Sequence, residues 1–166
     1  MWTLRGYVLQ FRGSPFHVAG HVPWPGPVST QPVACIGEIF TDYDAGPFAT
    51  YDELAAWYQH KLDVAMHMNK ALPNTEPFDR SMPLVFTHLD LSPENVVLDK
   101  NNRLWVIDFG LSGFYPLWFE YTIMKHPWER MAKYGILIAK LIAGFYQRQL
   151  RFFNSISWVL TTGAMM

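Results

Sequence analysis

Three short oxygen-bearing side chains, Asp90, Asn95 and Asp108, lie at the ends of two neighbouring apolar runs. The runs, residues 96–98 and 104–107, are rich in residue types that favour β-strands, and the Asp-Lys-Asn-Asn between them favours a turn. If the runs pair about that turn as an antiparallel hairpin, Asn95 lies opposite the residue before Asp108. The hairpin would then bring Asn95 and Asp108 to its open end, within reach of one ion.

The open end of this predicted hairpin has the composition of a magnesium-phosphate site. A carboxylate and an amide oxygen suit a hard cation such as Mg²⁺. Asp90 lies in the loop that leads into the hairpin, and an acid beside such a site can orient a hydroxyl nucleophile and accept its proton. The alternative interpretation is ordinary turn chemistry, which explains the residues of the turn but not His88, Asp90, Asn95 and Asp108 together.

The motif "HLDLSPEN", from His88 to Asn95, followed by "VIDFG", resembles the catalytic and metal-binding segments of the aminoglycoside phosphotransferase family, within the protein-kinase-like superfamily. The resemblance implies that Asp90 is the catalytic base and that Asn95 and Asp108 bind Mg²⁺. It implies that His88 is a scaffold residue of the loop, that ATP is the phosphoryl donor and that a small-molecule hydroxyl is the acceptor. Leu89 stands where the family usually has glycine.

The resemblance implies an α+β, mainly helical fold over residues 1–166, the larger C-terminal lobe of a kinase-like domain with one catalytic β-hairpin. None of the eleven glycines forms a G-x-G, and Lys61 and Lys70 lie on a predicted helix. The small N-terminal lobe that covers the nucleotide phosphates is therefore expected to be missing. Two functions follow: a phosphotransferase that is inactive alone unless another polypeptide supplies this lobe, or a catalytically silent binding module.

Helical spacing predicts the elements that surround the hairpin. Residues 2–12 predict a helix, whereas residues 15–32, with five of the twelve prolines, predict an irregular connection. A capping box formed by Thr50 and Glu53 begins a second helix. Residues 116–160 predict two or three further helices. The inward face of the second helix is predicted to consist of Leu54, Tyr58, Leu62 and Ala65.

Several single residues have both a structural and a functional interpretation. His60, Asp63 and His67 could present ligands to a metal, but one helix rarely closes such a site, so a solvated polar face is favoured. Glu120 either lies in the first turn of a helix, where it meets the helix dipole, or lines an acceptor pocket; the helix-end interpretation is favoured. Trp105 lies on a strand with two apolar faces, which predicts a hairpin covered on both sides and a buried indole.

Composition excludes several classes of protein. The net charge is −1, from 13 basic and 14 acidic residues, so the basic stripe of a nucleic-acid-binding protein is lacking. Cys35 is the single cysteine and cannot form an internal disulfide, which favours a reducing compartment. No signal peptide or run of membrane-spanning length is evident. The sequence therefore predicts a soluble cytoplasmic protein without nucleic-acid or membrane partners.

Overall fold

Five α-helices and two small antiparallel sheets make up the part of the chain that the structure describes. A computed structural model describes residues 1–13, 24–41, 45–131 and 134–161, with the backbone alone at 126–131. The helices are α1 (Trp2–Gly13), α2 (Tyr51–His67), α3 (Phe119–Met131), α4 (Gly135–Ala143) and α5 (Gln147–Thr161). The strands are β1 (Gly26–Pro27), β2 (Leu84–Thr87), β3 (Val96–Leu98), β4 (Leu104–Val106) and β5 (Gly113–Pro116). This arrangement confirms the predicted α+β class, and no helix among the described residues has the length and apolar character needed to cross a bilayer.

The predicted hairpin is confirmed, and its strands pair in the predicted register. β3 and β4 are antiparallel, with Val97 opposite Trp105. Beyond the last strand pair, the backbone N–H of Ile107 donates to the carbonyl oxygen of Asn95 at 3.0 Å. Asn95 therefore lies opposite Ile107, and the next residue along the chain is Asp108.

The described residues cover one face of the hairpin, so the prediction of burial on both faces is wrong. Trp105 is 53% exposed, and Val97 and Ile107 on the same face are exposed as well. The Trp105 indole N–H donates to Asp99 Oδ2 in the turn at 3.1 Å, so its polar group has a partner at the surface. The opposite face packs against buried side chains through Val96, Leu104 and Val106.

The structure adds a three-stranded sheet to the single hairpin predicted from the sequence. β5 lies in the centre and pairs antiparallel with β1 and β2. Gly113 allows β1 to approach β5, because a Cβ at this position would lie 2.1 Å from the carbonyl oxygen of Gly26. β2 ends at Thr87, directly before the loop that carries Asp90. The sheet therefore fixes the point at which this loop begins.

Helix α2 begins at the predicted cap and buries the predicted face. Thr50 Oγ1 accepts a hydrogen bond from the backbone N–H of Glu53 at 3.2 Å. Glu53 Oε2 in turn accepts a hydrogen bond from the backbone N–H of Ala49 at 2.7 Å, one residue earlier than in the predicted reciprocal box. The buried residues are Leu54, Ala55, Tyr58, Leu62 and Ala65.

An aromatic core joins α2 to α3 and α5. The rings of Tyr58 and Phe78 stack with their centroids 4.9 Å apart, and Trp118 and Phe119, at the start of α3, are both fully buried. The Trp118 indole N–H donates to the carbonyl oxygen of Asp79 at 3.1 Å, so this ring buries its area without losing its hydrogen bond. The core therefore holds α3, and with it Glu120, in a fixed position.

Helix α1, which lies where its spacing predicts, is fastened across the C-terminal end of α4. Arg5 donates to the carbonyl oxygen of Leu141 at 2.7 Å, and Arg12 donates to that of Ala143 at 2.6 Å. The last carbonyl groups of a helix lack intrahelical partners and carry its negative end, so guanidinium groups stabilise them. Of the connection predicted for residues 15–32, residues 15–23 lie outside the described residues, and the remainder includes β1.

Candidate active site

Asp90 and Asn95 are joined directly by the Asn95 side chain. Its Nδ2 donates to the carbonyl oxygen and to Oδ2 of Asp90, both at 2.9 Å. Asn95 is the last residue of a short 3₁₀-helix, Pro93–Asn95, which carries the chain from the loop into β3. The structure thus places in contact two of the three residues that the sequence singled out.

Asp108 follows directly on the backbone pair between Asn95 and Ile107. Its carboxylate is exposed, and Oδ1 accepts a long hydrogen bond, 3.4 Å, from the N–H of Gly110. The φ of Asp108 is 62°, in the left-handed region that residues other than glycine seldom adopt. This local strain turns the chain sharply after β4 and leaves the carboxylate at the open end of the hairpin.

His88 links the loop of Asp90 to the hairpin. The imidazole is fully buried, and its Nε2 lies 2.9 Å from the carbonyl oxygen of Ile107. Nδ1 accepts from the backbone N–H of Asp90 at 3.3 Å. These two contacts require a proton on Nε2 and none on Nδ1, and burial lowers the pKa of His88 below its ordinary value. A neutral imidazole with both nitrogens engaged fits the scaffold role that the sequence predicts.

Glu120 lies in the first turn of α3, as the favoured interpretation expects, but its carboxylate points into the protein. It is only 2% exposed, and Oε2 accepts from the backbone N–H of His88 at 2.8 Å. Oε1 has no hydrogen-bond partner among the described residues. Burial raises the pKa of Glu120 to about 7, against the opposing effects of the His88 N–H and the positive charge of Arg12. The carboxylate is therefore poised between its charged and neutral forms near neutral pH.

The open end of the hairpin fits a small divalent cation. Because Nδ2 makes both hydrogen bonds from the Asn95 side chain to Asp90, Asn95 Oδ1 is the amide atom left for a metal. Amide and carboxylate oxygens are donors that Mg²⁺ prefers, so Asn95 Oδ1 and the exposed Asp108 carboxylate are the atoms that would hold such an ion. No group of three His, Cys, Asp or Glu side chains that could hold a metal occurs in the part of the chain that the structure describes. His60, Asp63 and His67 are accordingly exposed residues of α2 and form no such site.

Comparison with known families identifies the family of this chain. The sequence model of the phosphotransferase enzyme family, abbreviated APH, matches residues 38–153, which is more than half of the 166 residues. The chain belongs to this family. The matched range includes the loop and hairpin, and membership in the phosphotransferase family indicates phosphoryl transfer to small molecules. No curated protein and no solved structure matches the chain.

The sequence argument missed the contact between the Asp90 loop and Glu120. A signal for it exists in the sequence, because the acid stands alone in the apolar run from Leu117 to Met124, interrupted otherwise only by Thr122. A single carboxylate in such a run is more easily explained by a buried partner than by solvent. The identity of that partner, a backbone N–H 32 residues earlier, could not be read from the sequence.

Proposed function

We propose that this chain provides the acceptor side of an ATP-dependent phosphotransferase that acts on a small-molecule hydroxyl. Asp90 is the catalytic base, and Asn95 and Asp108 are the Mg²⁺ ligands. The observation that supports this best is the pair of 2.9 Å hydrogen bonds from Asn95 Nδ2 to Asp90, because it joins the candidate base to the candidate metal end. The family match supports the reaction class, and ATP, Mg²⁺ and the individual roles are the proposal.

In the proposed reaction the acceptor hydroxyl gives its proton to the Asp90 carboxylate while its oxygen attacks the γ-phosphorus of ATP. The bond from that phosphorus to the β,γ-bridging oxygen breaks, and ADP leaves with the electron pair. Mg²⁺ bound by Asn95 and Asp108 would neutralise charge on the phosphate oxygens. His88 holds the Asp90 loop against the hairpin through its contacts with Ile107 and the Asp90 N–H.

The exposed face of the hairpin supports a nucleotide on this side of the site. Val97, Trp105 and Ile107 are exposed apolar side chains of the hairpin whose open end carries Asn95 and Asp108. If the adenine ring of ATP lay on this face, its phosphates could reach toward Asn95 and Asp108. An uncovered apolar surface beside a polar site also favours a covering partner, which supports the proposal that a complementing N-terminal lobe encloses the nucleotide.

The metal proposal can be tested with Mn²⁺, whose unpaired electrons broaden NMR signals near the bound ion. Broadening should centre on Asn95 and Asp108 and be lost in Asp108→Asn. Asp99 lies at the turn end of the same hairpin, so Asp99→Asn is the matched control and should retain the effect. Broadening centred on His60 and His67 instead would refute the assignment.

The activity proposal can be tested by mixing the chain with the separately produced N-terminal lobe of a related phosphotransferase. ATP-dependent phosphorylation of aminoglycosides, choline-like alcohols or sugars should appear in the mixture and not with the chain alone, because the proposal assigns the phosphate-covering part of the site to the second polypeptide. Asp90→Asn should abolish it, whereas Glu94→Gln, a change of an exposed acid in the 3₁₀-helix after the loop, should not. Turnover by the chain alone, lost in Asp90→Asn, would refute the need for a second unit. No turnover in any mixture would favour the silent binding module.

A further inference from the structure

A cleft lies between the first turns of α5 and the loop that follows α2. Its volume is about 570 Å³, which is within the range of small-molecule sites in proteins. Phe152, a member of the aromatic core, gives it an apolar wall. The polar residues of the lining that matter most are Asn74, Glu76, Arg148, Arg151 and Asn154. The cleft therefore combines apolar surface with hydrogen-bonding groups from two segments, as ligand sites do.

The lining of the cleft contains two arginines and one glutamate, so it has an excess of one positive charge. Arg148 forms an ion pair with Glu76. Asp79 also lies near Arg148, but its two carboxylate oxygens already accept hydrogen bonds from other side chains. Arg151, one turn further along α5, pairs with no carboxylate in the part of the chain that the structure describes. The guanidinium of Arg151 is therefore the group in the cleft that lacks a counter-charge.

Two side-chain amides accompany this guanidinium. Asn74 comes from the loop and Asn154 from α5, and within the described residues neither side chain makes a hydrogen bond. An amide both donates to and accepts from hydroxyl groups. A guanidinium presents parallel N–H groups that match the oxygens of a carboxylate or a phosphate. A ligand that satisfies all three side chains carries one anionic group and several hydroxyl groups.

We propose that this cleft is a binding site for a small sugar-derived anion, either a sugar acid or a sugar phosphate. Its carboxylate or phosphate binds Arg151, and its hydroxyl groups bind Asn74 and Asn154. The ion pair with Glu76 keeps Arg148 from contributing its full charge. The cleft therefore favours a ligand with a single anionic group and should reject the neutral sugar.

This cleft is separate from the candidate active site. The Asp90 loop follows β2 directly after Thr87. The start of α5 is joined instead to the segment before β2, because Gln149 Nε2 donates to Asp79 Oδ2 at 2.7 Å. The strand between these two points has four residues and spans roughly 13 Å. The proposed ligand is therefore not the hydroxyl acceptor that faces Asp90, and the inference does not rest on the proposed function.

NMR titration of the full chain tests the site with gluconate, glucose 6-phosphate and neutral glucose. Shifts of the backbone amide signals should centre on residues 74–76 and 148–155. Binding of gluconate alone identifies a sugar acid, and binding of glucose 6-phosphate alone identifies a sugar phosphate. Glucose should bind about tenfold more weakly, because it lacks the charge that Arg151 attracts. Equal binding of glucose, or no shift at the cleft with either anion at about 10 mM, would overturn the proposal.

Substitutions in the lining separate a specific site from general attraction to positive charge. Arg151→Gln should weaken binding of the anion about tenfold, because it removes a charged hydrogen bond. Arg103, just before β4, is also exposed, so Arg103→Gln is the matched control and should leave binding unchanged. Glu76→Gln should strengthen binding, because it releases Arg148 for the ligand.

The three substituted side chains are exposed, so the variants should fold. Equal weakening by Arg151→Gln and Arg103→Gln would show attraction without a site and would overturn the proposal. Weaker binding in Glu76→Gln would overturn it as well. The titration contains no ATP and measures binding alone, so a failure of phosphoryl transfer would leave the inference standing.

Discussion

Glu120 should make the stability of this protein fall as the pH rises toward neutrality. Burial raises the pKa of Glu120 from its ordinary value of 4.5 to about 7. Between these two values the folded protein holds a proton that the unfolded chain has released. The folded state therefore binds more protons, and the free energy of unfolding decreases with rising pH over this window.

The magnitude follows from the distance between the two pKa values. A difference of about 2.5 between them corresponds to about 3 kcal/mol at 1.36 kcal/mol per pKa unit. The contribution is fully present below pH 4.5 and lost as the pH passes through about 7. His88 acts in the opposite direction, because its pKa is lowered from 6.5 by burial, so its contribution grows as the pH rises toward 6.5.

The Glu120→Gln variant isolates one of these two effects, because it keeps His88 and removes the titrating carboxyl. Urea unfolding at pH 4.5 and pH 8 gives, for each protein, the change in the free energy of unfolding between the two pH values. Relative to Glu120→Gln, the native chain should lose about 3 kcal/mol between the two pH values. Parallel stability curves would refute a raised pKa at Glu120. If the free energy of unfolding falls as expected, this carboxylate lowers stability at neutral pH, as is common for residues of a functional site.

Two further predictions concern packing and capping. Trp118→Ala should lower the free energy of unfolding by about 3–5 kcal/mol, because Trp118 is fully buried. Trp105→Ala should cost less than about 1 kcal/mol, because half of the indole is exposed; equal losses in urea unfolding would contradict this ranking. Thr50→Ala should cost about 1 kcal/mol through loss of the cap to Glu53. The exposed Thr3→Ala in α1 serves as its control in thermal unfolding, and a matching loss there would mean that the cap contributes nothing specific.

Local rules were sufficient for the hairpin. The β-prone runs, the polar turn and the antiparallel pairing rule together determine which residues face each other, so the alignment of Asn95 with Ile107 followed from spacing alone. The start of α2 was predictable for the same reason, because the cap at Thr50 depends on residues three positions apart. Features that depend on residues close together in the chain can therefore be predicted from the sequence.

Tertiary contacts could not be predicted in this way. β1 and β2 have two and four residues, too few for alternation to show, and both depend on pairing with β5. The exposure of Trp105 depends on which elements lie against the hairpin, which periodicity cannot tell. The left-handed backbone of Leu89, with a φ of 65°, was visible only as a departure from the usual glycine, and the hydrogen bond from the His88 N–H to Glu120 joins residues 32 positions apart. The roles of Asp90, Asn95 and Asp108 stay predictions until they are measured.

The attachment of α1 to α4 changes where the boundaries of a stable folding unit should be drawn. The family match begins at residue 38, yet Arg12 in α1 hydrogen-bonds the end of α4 and places its charge near Glu120. A fragment cut to residues 38–153 would lose that charge, uncover the α4 carbonyls and end partway through α5. Within such a fragment the carboxylate at position 120 would hold its proton to a higher pH. The segment that the family match omits therefore contributes to the ionisation of Glu120, beside the larger effect of burial.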